Sequence, residues 1–132
     1  MKNCVLDSYA VLAFLFNENG SDQVTELLEK AVEADHAVFI AAPNWAEVRY
    51  MIERKVGRAQ WEGVRSKLLG LPIEIIPADQ TLAELAGEIK ASKKMSLADC
   101  FAAALAKQKK ADVYTGDPEF KEVEKESKII WL

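Results

Sequence analysis

Four carboxylates stand beside apolar segments of this sequence, where they could act together. Asp7 lies between two apolar runs that favour burial, and Asp117 follows the apolar segment DVYT after a single glycine. Glu47 and Asp99 occupy the stretches NWAE and SLAD. Carboxylates that converge without basic partners repel one another, and a bound cation relieves that repulsion. Because hard oxygen ligands without His or Cys suit Mg²⁺ or Mn²⁺, the four acids predict a divalent cation site in which at least one carboxyl pKa is raised.

Other catalytic side chains are scarce. The chain contains one histidine, His36, in a polar segment, so neither histidine acid–base chemistry nor a histidine-rich zinc site is expected. Cys4 and Cys100 lie in apolar surroundings without CxxC spacing. We expect both to be buried, reduced thiols.

Each acid also has a structural interpretation that the sequence leaves open. Asp7 fits a helix N-cap or a strand-end turn. The stretch NWAE fits a capping box with Asn44 as the N-cap and Glu47 three residues later, and SLAD repeats the pattern at Asp99. Asp117 lies in a Gly-Asp-Pro sequence, which is common in turns.

Composition and charge exclude several classes of protein. The 132 residues suit one domain, residues 1–132, and 50% hydrophobic with 29% charged residues is an ordinary globular composition. A net charge of −4 argues against a protein that coats nucleic acid. No apolar run is long enough for a membrane span, and Asp7 interrupts the only segment that could resemble a signal peptide. We therefore expect a cytoplasmic protein without membrane contact.

Strands and helices are predicted to alternate along the chain. Short apolar runs predict strands at residues 3–6, 37–42, 72–77, 112–115 and 128–132. Helical periodicity predicts helices at residues 8–16, 21–34, 44–55, 58–70, 79–92 and 96–110, with a short helix at 118–126. Strands without polar alternation are typical of a parallel sheet covered by helices on both faces. Ligands of such sheets bind beyond the carboxyl ends of the strands, where all four acids can converge.

Three basic segments could bind an anionic substrate. They are residues 49–58, 90–94 and 107–110, and each could equally be a solvated helix face or helix end.

The acids lie in a set of segments that resembles the four acidic motifs of the PIN domain. The segments are CVLDSYAVL, NWAEV, SLADCFAAALA and VYTGDPEF, in the family's order and approximate spacing. The compact chain resembles in particular the VapC toxins of prokaryotic toxin–antitoxin pairs. The resemblance implies a three-layer α/β fold with a mostly parallel sheet of about five strands, and a metal-dependent endoribonuclease.

The resemblance also implies roles for individual residues. Asp7, Glu47, Asp99 and Asp117 would form the catalytic and metal-binding site. Asp7 and Asp117 would bind Mg²⁺ or Mn²⁺ directly, Asp99 directly or through water, and Glu47 through a water. Ser8, Asn44 and Thr115 match the polar residues that often accompany these acids. The implied partners are an RNA substrate, a cognate antitoxin and a second copy of the chain.

Other functions remain open. A phosphoacceptor signalling domain needs paired acids after its first strand and a lysine after its last one, and this chain offers neither. An aspartyl-phosphate hydrolase needs a second Asp two residues after Asp7, where Tyr9 stands. A non-catalytic interaction domain stays possible, as does a PIN nuclease of RNA processing or decay without a toxin role.

Overall fold

Five short strands form one parallel sheet in the computed structural model, which describes residues 1–132. The strands are β1 (Cys4–Leu6), β2 (Val38–Ala41), β3 (Ile73–Ile76), β4 (Asp112–Thr115) and β5 (Ile129–Trp131). Their order across the sheet is β3-β2-β1-β4-β5, and every neighbouring pair is parallel. The predicted α/β fold with a five-stranded parallel sheet is confirmed.

Helices cover both faces of this sheet. They are α1 (Ser8–Leu15), α2 (Ser21–Glu33), α3 (Ala42–Val56), α4 (Trp61–Leu69), α5 (Gln80–Ser92) and α6 (Leu97–Lys109), with 3₁₀ turns at Arg58–Gln60 and Pro118–Val123. Successive strand residues point to opposite faces, so that Val5 packs under α5 and α6, whereas Cys4 and Leu6 pack under α1, α2 and α3. The protein therefore has two apolar cores, one on each face of the sheet between the strands and the helices that cover them, as a three-layer fold requires.

The strand order reverses between β1 and β4. The chain builds β1, β2 and β3 towards one edge and then returns to place β4 on the other side of β1. Leu6 is paired with Tyr114 in this register, so Asp7 and Thr115 are level at the carboxyl end of the sheet. The reversal creates the crevice in which parallel sheets bind ligands.

Three predicted helices differ from those of the structure in their start or type. Helix α3 begins at Ala42 rather than Asn44, because Pro43 is accommodated in the first turn, where no helical N–H is needed. The predicted helix over residues 58–70 is a 3₁₀ turn followed by α4. The predicted helix at 118–126 is a 3₁₀ segment that begins at a proline.

The cysteine prediction is confirmed, since Cys4 and Cys100 are buried and free. No helix combines the length and the hydropathy that crossing a membrane requires.

Gly20 precedes α2 with a φ of 95°, and a Cβ there would lie 2.5 Å from Cβ of Leu132. Gly20→Ala should therefore lower the free energy of unfolding by about 2 kcal/mol or more, through left-handed backbone strain and overpacking. Gly63→Ala is the matched control, because a Cβ at that helical position meets no atom within 4 Å. Urea denaturation should find this control equal to or more stable than wild type. Equal stability of the two variants would contradict the packing described here.

Candidate active site

The side chain of Asp7 is buried at the carboxyl end of β1, where it has two hydrogen-bond donors. One carboxylate oxygen accepts from the backbone N–H of Ala10 at 2.9 Å, so Asp7 is the N-cap of α1. The other oxygen accepts from the hydroxyl of Thr115 at the end of β4. The capping and functional interpretations of Asp7 are therefore compatible, since the cap uses only one oxygen.

Thr115 joins this carboxylate to the next acid. Its hydroxyl oxygen accepts from the backbone N–H of Asp117 at 2.9 Å while donating to Asp7. Between them, Gly116 leaves room for Tyr9, because a Cβ there would lie 2.3 Å from that ring. Asp117 in turn caps the 3₁₀ segment by accepting from the N–H of Glu119 at 2.9 Å.

The third acid comes from the first turn of α6. Ser96 is the N-cap of this helix, as predicted, and its hydroxyl accepts from the N–H of Asp99 at 3.3 Å. The backbone N–H of Ser96 donates to Glu119 at 2.7 Å rather than to Asp99. The carboxyl group of Asp99 is therefore free to face Asp117 and Glu119, and one oxygen from each of the three lies within 4.8 Å of the others.

Glu47 approaches from α3 on the opposite side. It accepts hydrogen bonds from the hydroxyl of Ser8 and from that of Tyr50, the latter at 3.2 Å. The capping-box interpretation is wrong, because the helix begins five residues before Glu47 and its side chain bonds to α1 instead.

A cavity of about 190 Å³ brings the four acids together. Its walls contain Asp7, Ser8, Glu47, Asp99 and Asp117, together with Tyr9, Leu12, Met51 and Ser96. The sequence-predicted acids therefore converge on one space at the switch point of the sheet.

Asn44 does not line this cavity. It lies within the first turns of α3, is fully buried, and neither polar atom of its side chain has a hydrogen-bond partner. The supporting role expected for Asn44 stays a prediction, and its expected role as an N-cap is wrong because Ala41 holds that position.

Glu119 is the residue that the sequence prediction missed. It lies within the cluster formed with Asp99 and Asp117, and the signal for it was its place two residues after Asp117 in the segment TGDPEF. A 3₁₀ segment turns the chain tightly enough that its first residues remain beside the acid that caps it.

Burial, more than like charge, raises the carboxyl pKa values. Desolvation raises the pKa of Asp7 from 3.8 to about 7, opposed by the hydrogen bonds from Thr115 and Ala10 and assisted by the charges of Asp117 and Glu47. Burial is also the largest cause of the raised pKa of Asp99. The hydrogen bond with Glu119 and the charges of Asp117 and Asp7 raise this pKa further. The predicted rise is present, and its main cause is desolvation rather than the expected repulsion.

No cationic side chain neutralises the cluster. The ion pairs of the chain are Lys2–Asp112, Arg49–Glu53 and Lys93–Glu126, and none includes a site acid. An all-oxygen donor set that includes buried acids with raised pKa values, and that has no basic partner, fits a hard divalent cation.

The raised pKa of Asp7 predicts a pH-dependent effect of Asp7→Asn without metal. Between pH 4 and 7 the folded protein holds a proton that the unfolded chain has lost, so wild-type stability falls as pH rises through this window. The amide does not titrate. The free energy of unfolding of Asp7→Asn should be nearly equal to that of wild type below pH 4. Above pH 4 it should exceed the wild-type value by an amount that grows by at most about 1.4 kcal/mol per pH unit, to no more than about 4 kcal/mol.

Thermal melts of both proteins in EDTA, below and above this window, measure that difference, and melts in Mn²⁺ are the control. Mn²⁺ should cancel or reverse the advantage by stabilising wild type. A stability difference that is constant with pH would contradict the burial assigned to Asp7.

Known structures share this fold across almost the whole chain. VapBC2 of Rickettsia felis, in complex with a promoter DNA fragment, has a TM-score of 0.73 at 18% identity, with 98% of each chain covered. DNA-bound VapBC of Salmonella typhimurium has a TM-score of 0.74 at 17% identity, again over 98% of both chains. VapC20 of Mycobacterium tuberculosis, a toxin that cleaves the sarcin–ricin loop, has a TM-score of 0.67 at 14% identity over 90% of this chain and 93% of that one.

Sequence comparison gives the family. A search of curated proteins found no match. The family model of the PIN domain matches residues 4–126, which include all four motifs and Glu119. The chain therefore belongs to the PIN domain family.

Proposed function

We propose that this protein is a metal-dependent endoribonuclease that hydrolyses RNA phosphodiester bonds and acts as the toxin of a type II toxin–antitoxin pair. The observation that carries the proposal is the convergence of Asp7, Asp99, Asp117 and Glu119 without a basic partner at the switch point of the sheet. The proposal is also supported by VapC20, a toxin of the same fold that cleaves the sarcin–ricin loop.

The acids divide into two groups by position. Asp99, Asp117 and Glu119 form the tight cluster, and Asp7 is tied to Asp117 through Thr115. These carboxylates would hold Mg²⁺ or Mn²⁺, and the ion would supply Lewis-acid activation of a water and stabilisation of charge on the leaving oxygen.

Hydroxyl groups keep these carboxylates in place. Thr115 and the N–H of Ala10 fix both oxygens of Asp7, so that carboxylate needs no rearrangement when it ionises. Ser8 and Tyr50 orient Glu47 from two sides, which suits a group that holds a water in position. In this proposal Ser8 and Thr115 take the supporting role that the sequence predicts for them.

The partners and location are part of the same proposal. The similar VapBC structures support a cognate antitoxin as a protein partner. A second copy of the chain and a cytoplasmic location follow from the VapC-like character that we propose.

Cleavage of defined RNAs tests the enzymatic part. Wild type should cleave in Mg²⁺ or Mn²⁺ and stop in EDTA. Asp7→Asn, Asp99→Asn and Asp117→Asn should each lower the rate at least about a hundredfold, because each removes a charge that holds the cation. Glu62→Gln on α4 is the control, since this exposed acid lies outside the site. Circular dichroism should stay native throughout, and full activity of any site variant would remove that residue from the site.

Growth of bacteria that express the protein tests the toxin part. Wild type should arrest growth and Asp7→Asn should not, because arrest would require RNA cleavage. Equal arrest by both would argue for a non-catalytic role. RNA cleavage in vitro without any arrest would favour a nuclease of RNA processing or decay.

A further inference from the structure

A second cavity opens beside the acid site, between α1 and α3. Its volume is about 520 Å³, and Leu12, Glu47 and Met51 line both cavities. The two spaces are therefore adjacent, and we call the second one the α1–α3 groove. It lies where a chain that is cut at the acids could continue.

Residues four apart on the two helices pair along this groove. Ser8 bonds to Glu47 at the acid end, Leu12 and Met51 form the floor, and Lys55 lies 4.0 Å from the ring centroid of Phe16 at the far end. Positions four apart share one helix face. The groove therefore leads straight away from the acids over about 12 Å, from eight residues of helical rise.

Two cations of the groove have no carboxylate partner. The guanidinium of Arg54 lies 4.7 Å from the ring centroid of Tyr50, and Lys55 lies over Phe16, but neither belongs to an ion pair. Arg49 on the same helix is paired with Glu53 at 2.6 Å. Arg54 and Lys55 thus place two positive charges without an ion-pair partner beside the acid site, in a groove that Glu18 and Glu47 also line.

Most lysines of the other two basic segments are less suited to this purpose. Lys90 donates to the carbonyl of Met95 at 2.6 Å, and Lys93 is paired with Glu126. Lys107 and Lys110 line a separate cavity with Lys2, which precedes β1 and therefore lies towards the opposite edge of the sheet.

We propose that the α1–α3 groove binds the single-stranded RNA that flanks the cleaved bond, with a base stacked on Tyr50 and phosphates paired with Arg54 and Lys55. This inference rests on the proposed ribonuclease function. Tyr50 is 42% exposed, and its ring, with Arg54 on one face, offers the other face for stacking, which is tolerant of sequence. Unpaired cations next to aromatic rings are the combination that binds single strands, whereas the charge of Glu18 at the groove opposes phosphate.

Binding of a short fluorescent oligouridylate tests the groove. It is measured on the full chain carrying Asp99→Asn, so that the RNA stays intact. Adding Arg54→Gln and Lys55→Gln should weaken binding about tenfold and reduce the slope of log K against log salt by about 1.4, which is 0.7 for each lost cation. Tyr50→Ala should weaken binding about fivefold or more, and Tyr50→Phe should restore it because the ring stacks without its hydroxyl.

Two further variants serve as controls. Arg65→Gln removes an exposed cation of α4 outside the groove and should change neither affinity nor slope. Glu18→Gln removes the opposing charge and should strengthen binding. Circular dichroism checks each fold, and the exposure of the groove residues makes unfolding an unsuitable explanation for a selective loss.

The outcomes separate the groove from the nuclease proposal. Unchanged affinity and salt slope in the double variant would overturn the groove. If wild type cleaves RNA and the same two substitutions in an otherwise wild-type chain leave KM unchanged, the groove fails and the nuclease stands. If wild type cleaves no RNA yet the binding losses occur, the groove stands as an RNA-binding site and the nuclease fails. A double variant that keeps RNA affinity but loses affinity for the antitoxin would overturn the proposal and assign the groove to protein binding.

Discussion

The carboxylate of Asp7 is buried at the end of the central strand, and the rest of the site depends on how that charge is accommodated. Its two oxygens accept from Ala10 and Thr115, which ties α1 and β4 to β1. Those hydrogen bonds favour the ionised form, but burial outweighs them and raises the pKa to about 7. A protein that only needed to cap α1 would gain nothing from this burial, because an exposed acid caps a helix equally well.

The same constraint explains why the neighbouring acids lack cationic partners. Ion pairing of Asp99 or Asp117 with a lysine would stabilise the apo protein but would compete with a metal ion for the same oxygens. The nearby cations Arg54 and Lys55 instead lie over the rings of Tyr50 and Phe16, and neither forms an ion pair with a site acid. The acids that would bind a metal ion and the cations that would bind phosphate therefore lie in two neighbouring cavities.

Much of the fold could be predicted from sequence because it follows from periodicity. Runs such as CVL and VFIA are apolar on both faces, which only a sheet covered on both sides can bury. Helix starts were less predictable, as Pro43 illustrates. A proline beside a strand indicates either an end to the strand or the first turn of a helix, and the choice depends on tertiary packing.

The site was predictable where an acid follows a strand directly and less so elsewhere. Asp7 and Asp117 could be placed because the ends of parallel strands share one edge. Glu119 could not, because its proximity to Asp99 arises from a 3₁₀ segment that the sequence suggested as an ordinary helix. The paired alignment of α1 and α3, which brings Ser8 to Glu47 and Lys55 to Phe16, depends on a helix contact that no local pattern encodes.

The proposed function requires that the buried acids bind protons without metal and that a divalent cation displaces those protons. Calorimetric titration of Mn²⁺ into the protein near pH 6, in two buffers of different ionisation enthalpy, measures this directly. We expect binding with release of about one proton or more per ion, because burial raises the pKa of Asp7 to about 7. Absence of binding, or binding with no proton release, would contradict it.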